Sequence, residues 1–134
     1  MKVYPHRSRF GWEGDGGLGE RLISKILSGE KTATCCPKTE YTEKELKEAY
    51  DSVGEYVTVT DRKDEPVCNI KMLDVFETTF GDPHPLLLKG ECCDNDADKF
   101  REAHIKCWGE EMKEKGTPLT DETVLIAEIF ELSE

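Results

Sequence analysis

The sequence predicts an α+β domain around a small, mostly antiparallel, barrel-like sheet. Three observations favour this class. Segments with strand composition alternate with helical patterns, two strand segments are joined by a short turn as in a hairpin, and a long amphipathic helix precedes a final apolar strand. The chain has 134 residues, the size of one domain, and we expect residues 1–134 to form a single domain.

The first predicted helix ends at Gly29, because glycine tolerates the left-handed backbone that commonly ends helices. A glycine-rich segment precedes this helix. It lacks the spacing of a phosphate-binding loop, and we expect Asp15 or a neighbour to cap the helix. The apolar residues of the helix recur at helical spacing on one face, and they are Leu18, Leu22, Ile23, Ile26 and Leu27.

The middle of the chain predicts a short helix followed by a hairpin. Thr42 with Glu45 three residues later has the pattern of a capping box at the start of a helix. Residues 55–60 and 67–75 have strand composition and flank a polar turn. Residues 76–80 either prolong the second strand or begin another, and a brief apolar turn or helix follows at residues 86–88.

The longest helix is predicted to begin between Asp94 and Asp96 and to end at Gly116. Residues spaced three and four apart predict a core-facing stripe, formed by Phe100, Ala103, His104, Cys107, Trp108 and Met112. We interpret His104 as a hydrogen-bonded packing residue rather than a catalyst, and Trp108 as a core residue.

Residues 124–132 are apolar on both faces, which is typical of a central strand. Glu128 is the exception on the face that also carries Ile126 and Phe130. A carboxylate among apolar side chains needs a partner or a function. We therefore expect Glu128 either to pair with a lysine or arginine or to line the same cleft as Lys31.

Composition narrows the classes of partner. The net charge of -11 repels polyanions, so non-specific binding to DNA or long RNA is not expected. No apolar run approaches the roughly 20 residues that span a bilayer, and the first residues lack the apolar stretch of a signal peptide. We therefore expect a cytoplasmic protein without a membrane partner. Positive charge concentrates near the start, at Lys2, His6, Arg7 and Arg9.

Four of the six cysteines form two vicinal pairs, Cys35-Cys36 and Cys92-Cys93. Neither pair has the C-x-x-C spacing of a zinc module, and reduced thiols are expected in the cytoplasm. The alternative is a cluster of soft ligands or a redox-sensitive disulfide, because one pair follows Thr34 and the other follows Glu91. The prediction is that the protein needs neither a metal nor another cofactor.

Lys31 and Thr34 stand directly after the predicted helix end. Taken alone, a short Gly-x-Lys-x-x-Thr string is most often an ordinary helix end followed by a solvated strand. Residues three apart on an extended segment point to opposite sides, but across a turn their side chains converge. If they converge, a desolvated amine beside a hydroxyl acts as the base for its nucleophile.

Several short motifs together resemble the bacterial ASCH domain family, in the same order over nearly the whole chain. They are Phe10-Gly11, the helix that ends in Ser28-Gly29-Glu30-Lys31-Thr32-Ala33-Thr34, Val53-Gly54-Glu55-Tyr56, Lys89-Gly90-Glu91, Phe100 to His104, and Ala127-Glu128-Ile129-Phe130. The resemblance implies a PUA-like β-barrel flanked by helices. It also implies action on RNA or on modified nucleosides.

Members of this family include hydrolases that remove an acyl group from N4-acetylcytidine. The resemblance to them implies a catalytic set of Lys31, Thr34 and Glu91, with Asp94 as a rival for the carboxylate. In this hypothesis Thr34 attacks the acyl carbon, neutral Lys31 takes the hydroxyl proton, and Glu91 protonates the leaving amine. If Lys31 stays charged, it stabilises an oxyanion instead and a water attacks.

Two alternatives use the same residues differently. In a non-catalytic binding module, Phe10, Trp12 or Tyr4 stacks on a base. In a ribonuclease, Lys31 and Glu91 act on the 2'-hydroxyl and the phosphate while Thr34 positions the substrate.

The expected ligand is a small nucleoside or an RNA, and the oligomeric state is left open. Some family members carry a basic residue where this chain has Cys36, which weakens the case for a polynucleotide. The expected substrate-binding residues are Arg9, Phe10, Gly11, Trp12 and Glu128.

Overall fold

The computed structural model describes residues 1–91 and 95–133, and within them it has five strands and four α-helices. Cys92, Cys93 and Asp94 lie outside the described residues, and so do the expectations that rest on them. In chain order the elements are β1 (Arg7–Arg9), α1 (Leu18–Leu27), β2 (Ala33–Pro37), a 3-10 turn (Lys38–Glu40), α2 (Glu43–Asp51), β3 (Tyr56–Thr60), β4 (Pro66–Thr79), α3 (Pro85–Gly90), α4 (Ala97–Glu114) and β5 (Val124–Leu132).

The five strands form one sheet in the order β1-β3-β4-β5-β2. Neighbouring strands are antiparallel except for β1 and β3, which are parallel. The sheet curls into a half-barrel, so the predicted α+β fold with a small, mostly antiparallel, barrel-like sheet is confirmed. The strand β5 pairs on both sides, with β4 and with β2, as its apolar composition predicts. The short β1 and β2 lie at the two ends of the sheet.

Each face of the sheet carries its own hydrophobic core, because neighbouring residues of a strand point to opposite faces. On β5, Ile126 and Phe130 belong to a core that α1 and α2 cover, with Ile23, Ile26 and Ala49. The alternate β5 residues belong to a second core that α3 and α4 cover. Its members from these elements are Leu125, Ala127, Ile129, Leu87, Leu88 and Phe100. We call these the α1/α2 face and the α3/α4 face.

The sequence patterns that predict where helices begin and end are confirmed. The helix α1 ends at Leu27, and Gly29 has a φ of +83° in the left-handed region. The carboxylate of Asp15 accepts hydrogen bonds from the backbone N–H groups of Gly17 and Gly19, at 2.9 and 3.1 Å, at the start of that helix. Thr42 and Glu45 form the capping box of α2. Of the two alternatives for residues 76–80, prolongation of the strand is the correct one, because β4 continues to Thr79.

The core-facing stripe of α4 is narrower than predicted. Its residues Phe100 and Met112 are buried and His104 and Trp108 are half-buried, which is a single row at spacing four. The predictions for Ala103 and Cys107 are wrong, since both side chains are exposed. The apolar packing of the helix is therefore made mainly by this row. Within the described residues, no helix has the length and apolarity to cross a membrane.

Candidate functional site

Lys31 is buried although it carries a charge. The turn after α1 positions it, since the Lys31 backbone N–H donates to the carbonyl oxygen of Lys25 at 3.0 Å. Lys31 as a whole is 3% exposed. Its Nζ donates to the carbonyl oxygen of Ala33 at 2.6 Å and forms an ion pair with Oε1 of Glu91. A buried ammonium is tolerated because it is paired and hydrogen-bonded.

Glu91 reaches Lys31 because the end of α3 packs directly on β2. The Thr32 N–H donates to the carbonyl oxygen of Gly90 at 3.0 Å. A Cβ atom added to Gly90 would lie 2.4 Å from the Cβ of Ala33, a distance that real side chains do not show. Only glycine therefore permits this approach, and the next residue along the chain is Glu91.

The Glu91 carboxylate also contacts two residues of the α3/α4 face. Its Oε2 lies 3.0 Å from Nε2 of His104 and 3.3 Å from Sγ of Cys35. Burial opposes the ionised form of Glu91, but the positive charge of Lys31 and the hydrogen bond from His104 outweigh it. Together these groups lower the pKa of Glu91 to about 2. The carboxylate is therefore ionised at neutral pH and accepts hydrogen bonds at both oxygens.

The ring of His104 lies between two acceptors. Nδ1 is 2.7 Å from the carbonyl oxygen of Phe100, and Nε2 faces the ionised carboxylate of Glu91. Both ring nitrogens therefore have a hydrogen-bond partner. The interpretation of His104 as a hydrogen-bonded packing residue is correct.

Thr34 does not join this cluster. It lies on β2 directly opposite Glu128 of β5, and directly opposed residues of antiparallel strands project from the same face. Cys35, which contacts Glu91, projects from the other face of β2. Lys31 and Glu91 are thus brought together on the α3/α4 face, whereas Thr34 is not brought to them. Because the chain after Lys31 is extended, successive side chains alternate between the two faces of β2, and the predicted convergence of Lys31 and Thr34 across a turn does not occur.

A cavity of about 380 Å³ opens on the α1/α2 face of the sheet. It is bordered by both end strands, with residues of β1 on one side and Cys36 of β2 on the other, so it lies where the half-barrel does not close. The helix α2 and the inner residues of β3, β4 and β5 complete its walls. The charged or titratable residues that line it are His6, Arg7, Arg9, Glu40, Glu45, Glu48 and Glu128.

Glu128 is half-buried in the wall of this cavity. Both expectations for it are wrong, because it neither pairs with a lysine or arginine nor lies beside Lys31. Within residues 1–91 and 95–133, no hydrogen bond or ion pair joins the Glu128 carboxylate to another residue. Desolvation raises its pKa above the ordinary value of 4.5. A carboxylate in this position satisfies its oxygens with water or with a ligand that donates hydrogen bonds.

Comparison with protein families matches residues 8–134 to the ASCH domain. The chain belongs to the ASCH domain family. Among solved structures, an ASCH domain from Lactobacillus crispatus JV V101 is similar with a TM-score of 0.73 and 25% identity, over 96% of this chain and 80% of that one. Protein EF3133 from Enterococcus faecalis V583, described as a DUF984 protein, has a TM-score of 0.76 and 23% identity, over 98% of this chain and 78% of that one. No curated protein sequence matches the chain.

These matches confirm the PUA-like fold and place this ASCH domain in a family that is generally related to RNA. Of its five predicted substrate-binding residues, Arg9 and Glu128 line the cavity, and the other three do not. Phe10 is buried in the core of the α1/α2 face, and Trp12 is 53% exposed. Gly11 lies against Gly19 at the start of α1.

Among the described residues that line the cavity of this ASCH domain is Tyr41, an aromatic residue that no sequence pattern indicated. Tyr4, one of the three residues that the binding-module alternative considers for stacking on a base, stacks on Tyr56 with 5.3 Å between ring centroids. At the edge of the cavity, desolvation and the nearby charge of Glu128 raise the pKa of Cys36 to about 11. Its thiol is therefore protonated at neutral pH and is a poor nucleophile.

Proposed function

We propose that this ASCH domain binds a nucleoside, free or at an unpaired position of an RNA, in the cavity on the α1/α2 face. The observation that carries the proposal is the Glu128 carboxylate, which faces the cavity without a hydrogen-bond donor among the described residues. The exocyclic amine of cytosine, adenine or guanine is a donor that satisfies it. Bases in unpaired RNA expose this edge to proteins.

The size of the cavity supports a ligand of this class. Its volume of about 380 Å³ falls within the range of small-molecule sites in proteins, which is about 300–1,000 Å³. Tyr41 in its wall offers an aromatic face on which a base stacks. The volume of the cavity and the general relation of the family to RNA both support this proposal.

The charge of the walls favours a base over a phosphate inside the cavity. Four carboxylates line it, and they repel a phosphate group. Arg7 and Arg9 are exposed residues of the end strand β1 at the border of the cavity. A base inside and a backbone phosphate outside, near these arginines, match this distribution. The same distribution disfavours a ribonuclease that holds a scissile phosphate in the cavity.

The substitution Glu128→Gln tests the proposal. We expect wild type to bind cytidine or adenosine more tightly than uridine, which lacks an exocyclic amine, in calorimetric titrations. We expect Glu128→Gln to weaken the binding by about tenfold or more, since a hydrogen bond to a charged group contributes about 1.5–3 kcal/mol. The matched control is Glu131→Gln, an exposed glutamate on the same strand, which leaves the affinity unchanged.

Thermal unfolding of the same variant separates lost binding from lost folding. The raised pKa of Glu128 means that the folded state disfavours the ionised carboxylate at neutral pH. Glu128→Gln is therefore expected to be more stable than wild type at pH 7, and the difference shrinks as the pH falls through the folded pKa of Glu128. Equal affinity of wild type and Glu128→Gln, or no binding by wild type of any nucleoside in the panel, contradicts the proposal.

A second candidate function is hydrolysis of an acylated cytidine on the α3/α4 face, and the contact between Lys31 and Glu91 supports it. With Lys31 as an ammonium, a water is the nucleophile. The water oxygen attacks the acyl carbon while Glu91 takes a proton from the water. Lys31 stabilises the oxyanion, and Glu91 then returns the proton to the leaving amine. The products are a carboxylic acid and cytidine.

Thr34→Ala distinguishes this mechanism from attack by the threonine. Because Thr34 projects from the opposite face of β2, we expect Thr34→Ala to hydrolyse N4-acetylcytidine at the wild-type rate, measured by chromatography of the products. Loss of turnover in a folded Thr34→Ala protein identifies Thr34 as the nucleophile instead. Absence of turnover in wild type removes the second candidate altogether.

A further inference from the structure

A thiol, a carboxylate and an imidazole converge on the α3/α4 face, away from the cavity. They belong to Cys35 of β2, Glu91 directly after α3 and His104 of α4. The Cys35 Sγ, the His104 Nε2 and one Glu91 oxygen all lie within 4.8 Å of one another. Sulfur, imidazole nitrogen and carboxylate oxygen are the three ligand types that proteins use for Zn²⁺.

We propose that Cys35, Glu91 and His104 bind one Zn²⁺ ion through Sγ, Oε2 and Nε2. This site is independent of the proposed nucleoside site, because the two lie on opposite faces of the sheet. Three protein ligands leave the fourth tetrahedral position for a water or another small ligand.

The observed distances are close to those of a tetrahedral zinc centre. With a Zn–S bond of about 2.3 Å and Zn–N and Zn–O bonds of about 2.0–2.1 Å, a tetrahedron separates sulfur from oxygen by about 3.5 Å and nitrogen from oxygen by about 3.3 Å. The corresponding distances here are 3.3 Å from Sγ to Oε2 and 3.0 Å from Nε2 to Oε2. These two distances differ from the tetrahedral values by a few tenths of an ångström, and Sγ and Nε2 lie within 4.8 Å of each other.

Other contacts already orient two of these ligands. The His104 Nδ1 donates to the carbonyl oxygen of Phe100 at 2.7 Å, which directs Nε2 toward Glu91. Histidines that bind zinc commonly make such a hydrogen bond with the other ring nitrogen. Lys31 forms its ion pair with the other oxygen of Glu91, Oε1, so the proposed ligand atom is not the one that carries this pair. The ammonium of Lys31 also opposes the charge of the ion, so the affinity is expected to be lower than that of a site without a neighbouring cation.

Binding of the ion displaces a proton from the protein. Zinc takes the sulfur of Cys35 as a thiolate, so at least one proton is released for each ion bound. Because the ligands bind zinc without their protons, the affinity is expected to rise with pH.

Cobalt titration of the full chain tests the site. The reduced protein is freed of metal with a chelator and titrated with Co²⁺, which reports thiolate ligation by a charge-transfer absorption band in the near ultraviolet. We expect one Co²⁺ per chain, displacement by Zn²⁺, and release of at least one proton in calorimetry with buffers of different ionisation enthalpy.

Two variants and a matched control locate the site. We expect Cys35→Ser to abolish the charge-transfer band and His104→Gln to weaken binding by at least about tenfold. Cys36→Ser is the control, because its thiol is the next in sequence but projects from the other face of β2, and it should retain the wild-type titration.

Three results overturn the proposal. They are absence of the band in wild type at saturating Co²⁺, a band that persists in Cys35→Ser, and a band that is lost in Cys36→Ser. Should Cys35→Ser fail to fold, wild type and His104→Gln decide the question, since an unchanged affinity in His104→Gln contradicts the site by itself.

Discussion

Replacement of Lys31 with methionine is expected to lower the free energy of unfolding by about 3 kcal/mol. The ammonium is almost fully buried and is paired with Glu91, whose side chain is only 8% exposed. Removal of one partner leaves a buried charge without its main counterion, which commonly costs about 3–5 kcal/mol. The expected loss of stability is near the lower end of this range, because His104 still forms a hydrogen bond with Glu91. Urea unfolding at pH 7 measures the change.

The matched control is Lys38→Met. Lys38 also pairs with a glutamate, Glu77, but the two side chains are 43% and 44% exposed. Water screens an exposed pair, so the control is expected to change stability little. The double variant Lys31→Met/Glu91→Gln leaves no unpaired carboxylate and should be more stable than Lys31→Met alone. Equal losses for Lys31→Met and Lys38→Met would contradict the importance of the buried pair.

Acid is expected to remove about 3 kcal/mol of stability through Glu91 alone. The folded pKa of about 2 lies below the ordinary value of 4.5. A carboxyl group whose pKa is depressed by folding stabilises the native state above its unfolded pKa and loses that contribution as the pH falls through its folded pKa. The contribution of Glu91 is therefore complete above about pH 5 and declines between about pH 4.5 and pH 2.

Glu91→Gln isolates this contribution from those of the other carboxylates. The difference in unfolding free energy between wild type and Glu91→Gln should be largest near pH 7 and should decrease steadily toward pH 2. The control Glu77→Gln removes a half-exposed glutamate and should show a much smaller dependence on pH. A difference for Glu91→Gln that stays constant from pH 7 to pH 3 would show that the Glu91 carboxylate is not stabilised in its ionised form.

The sheet separates the two proposed sites by the alternation of side chains along β2. Cys35 and Cys36 are neighbours in the chain, yet Cys35 contacts Glu91 on the α3/α4 face and Cys36 borders the cavity on the α1/α2 face. The two sites therefore have separate readouts, nucleoside affinity on one face and Co²⁺ titration on the other, which allows the two proposals to be tested separately.

The elements were predictable because their signals are local. A capping box and a glycine after a helix each act within about four residues of the chain. The structure confirms both predictions, the capping box at Thr42 and Glu45 and the left-handed glycine at Gly29. The stripe of α4 was less predictable, since Ala103 and Cys107 fit the periodicity and are nevertheless exposed. Periodicity shows which residues share a helix face, but the width of the contact depends on how the helix lies on the sheet.

The candidate site was predictable in part. The resemblance to ASCH domains assigned Lys31 and Glu91, and the structure joins them over 60 positions of sequence. The alternation of the strand indicates that residues 31, 33 and 35 share one face and residue 34 the other, which is the signal that would have separated Thr34 and pointed to Cys35. No comparable sequence pattern indicates that Tyr41 lines the cavity. The cavity forms beside β1, the strand at one end of the sheet, and this arrangement depends on the tertiary structure.

The sequence alone determined the fold class, the order of the elements and the charge that disfavours polyanions, because propensity, capping and net charge are properties of neighbouring residues or of the whole composition. Only the tertiary structure decided which charged groups meet. It paired Lys31 with Glu91, added His104 and Cys35 to them, and left Glu128 to face a cavity on the other side. These outcomes depend on strand register and on the packing of α3 and α4, which bring together residues that are distant along the chain.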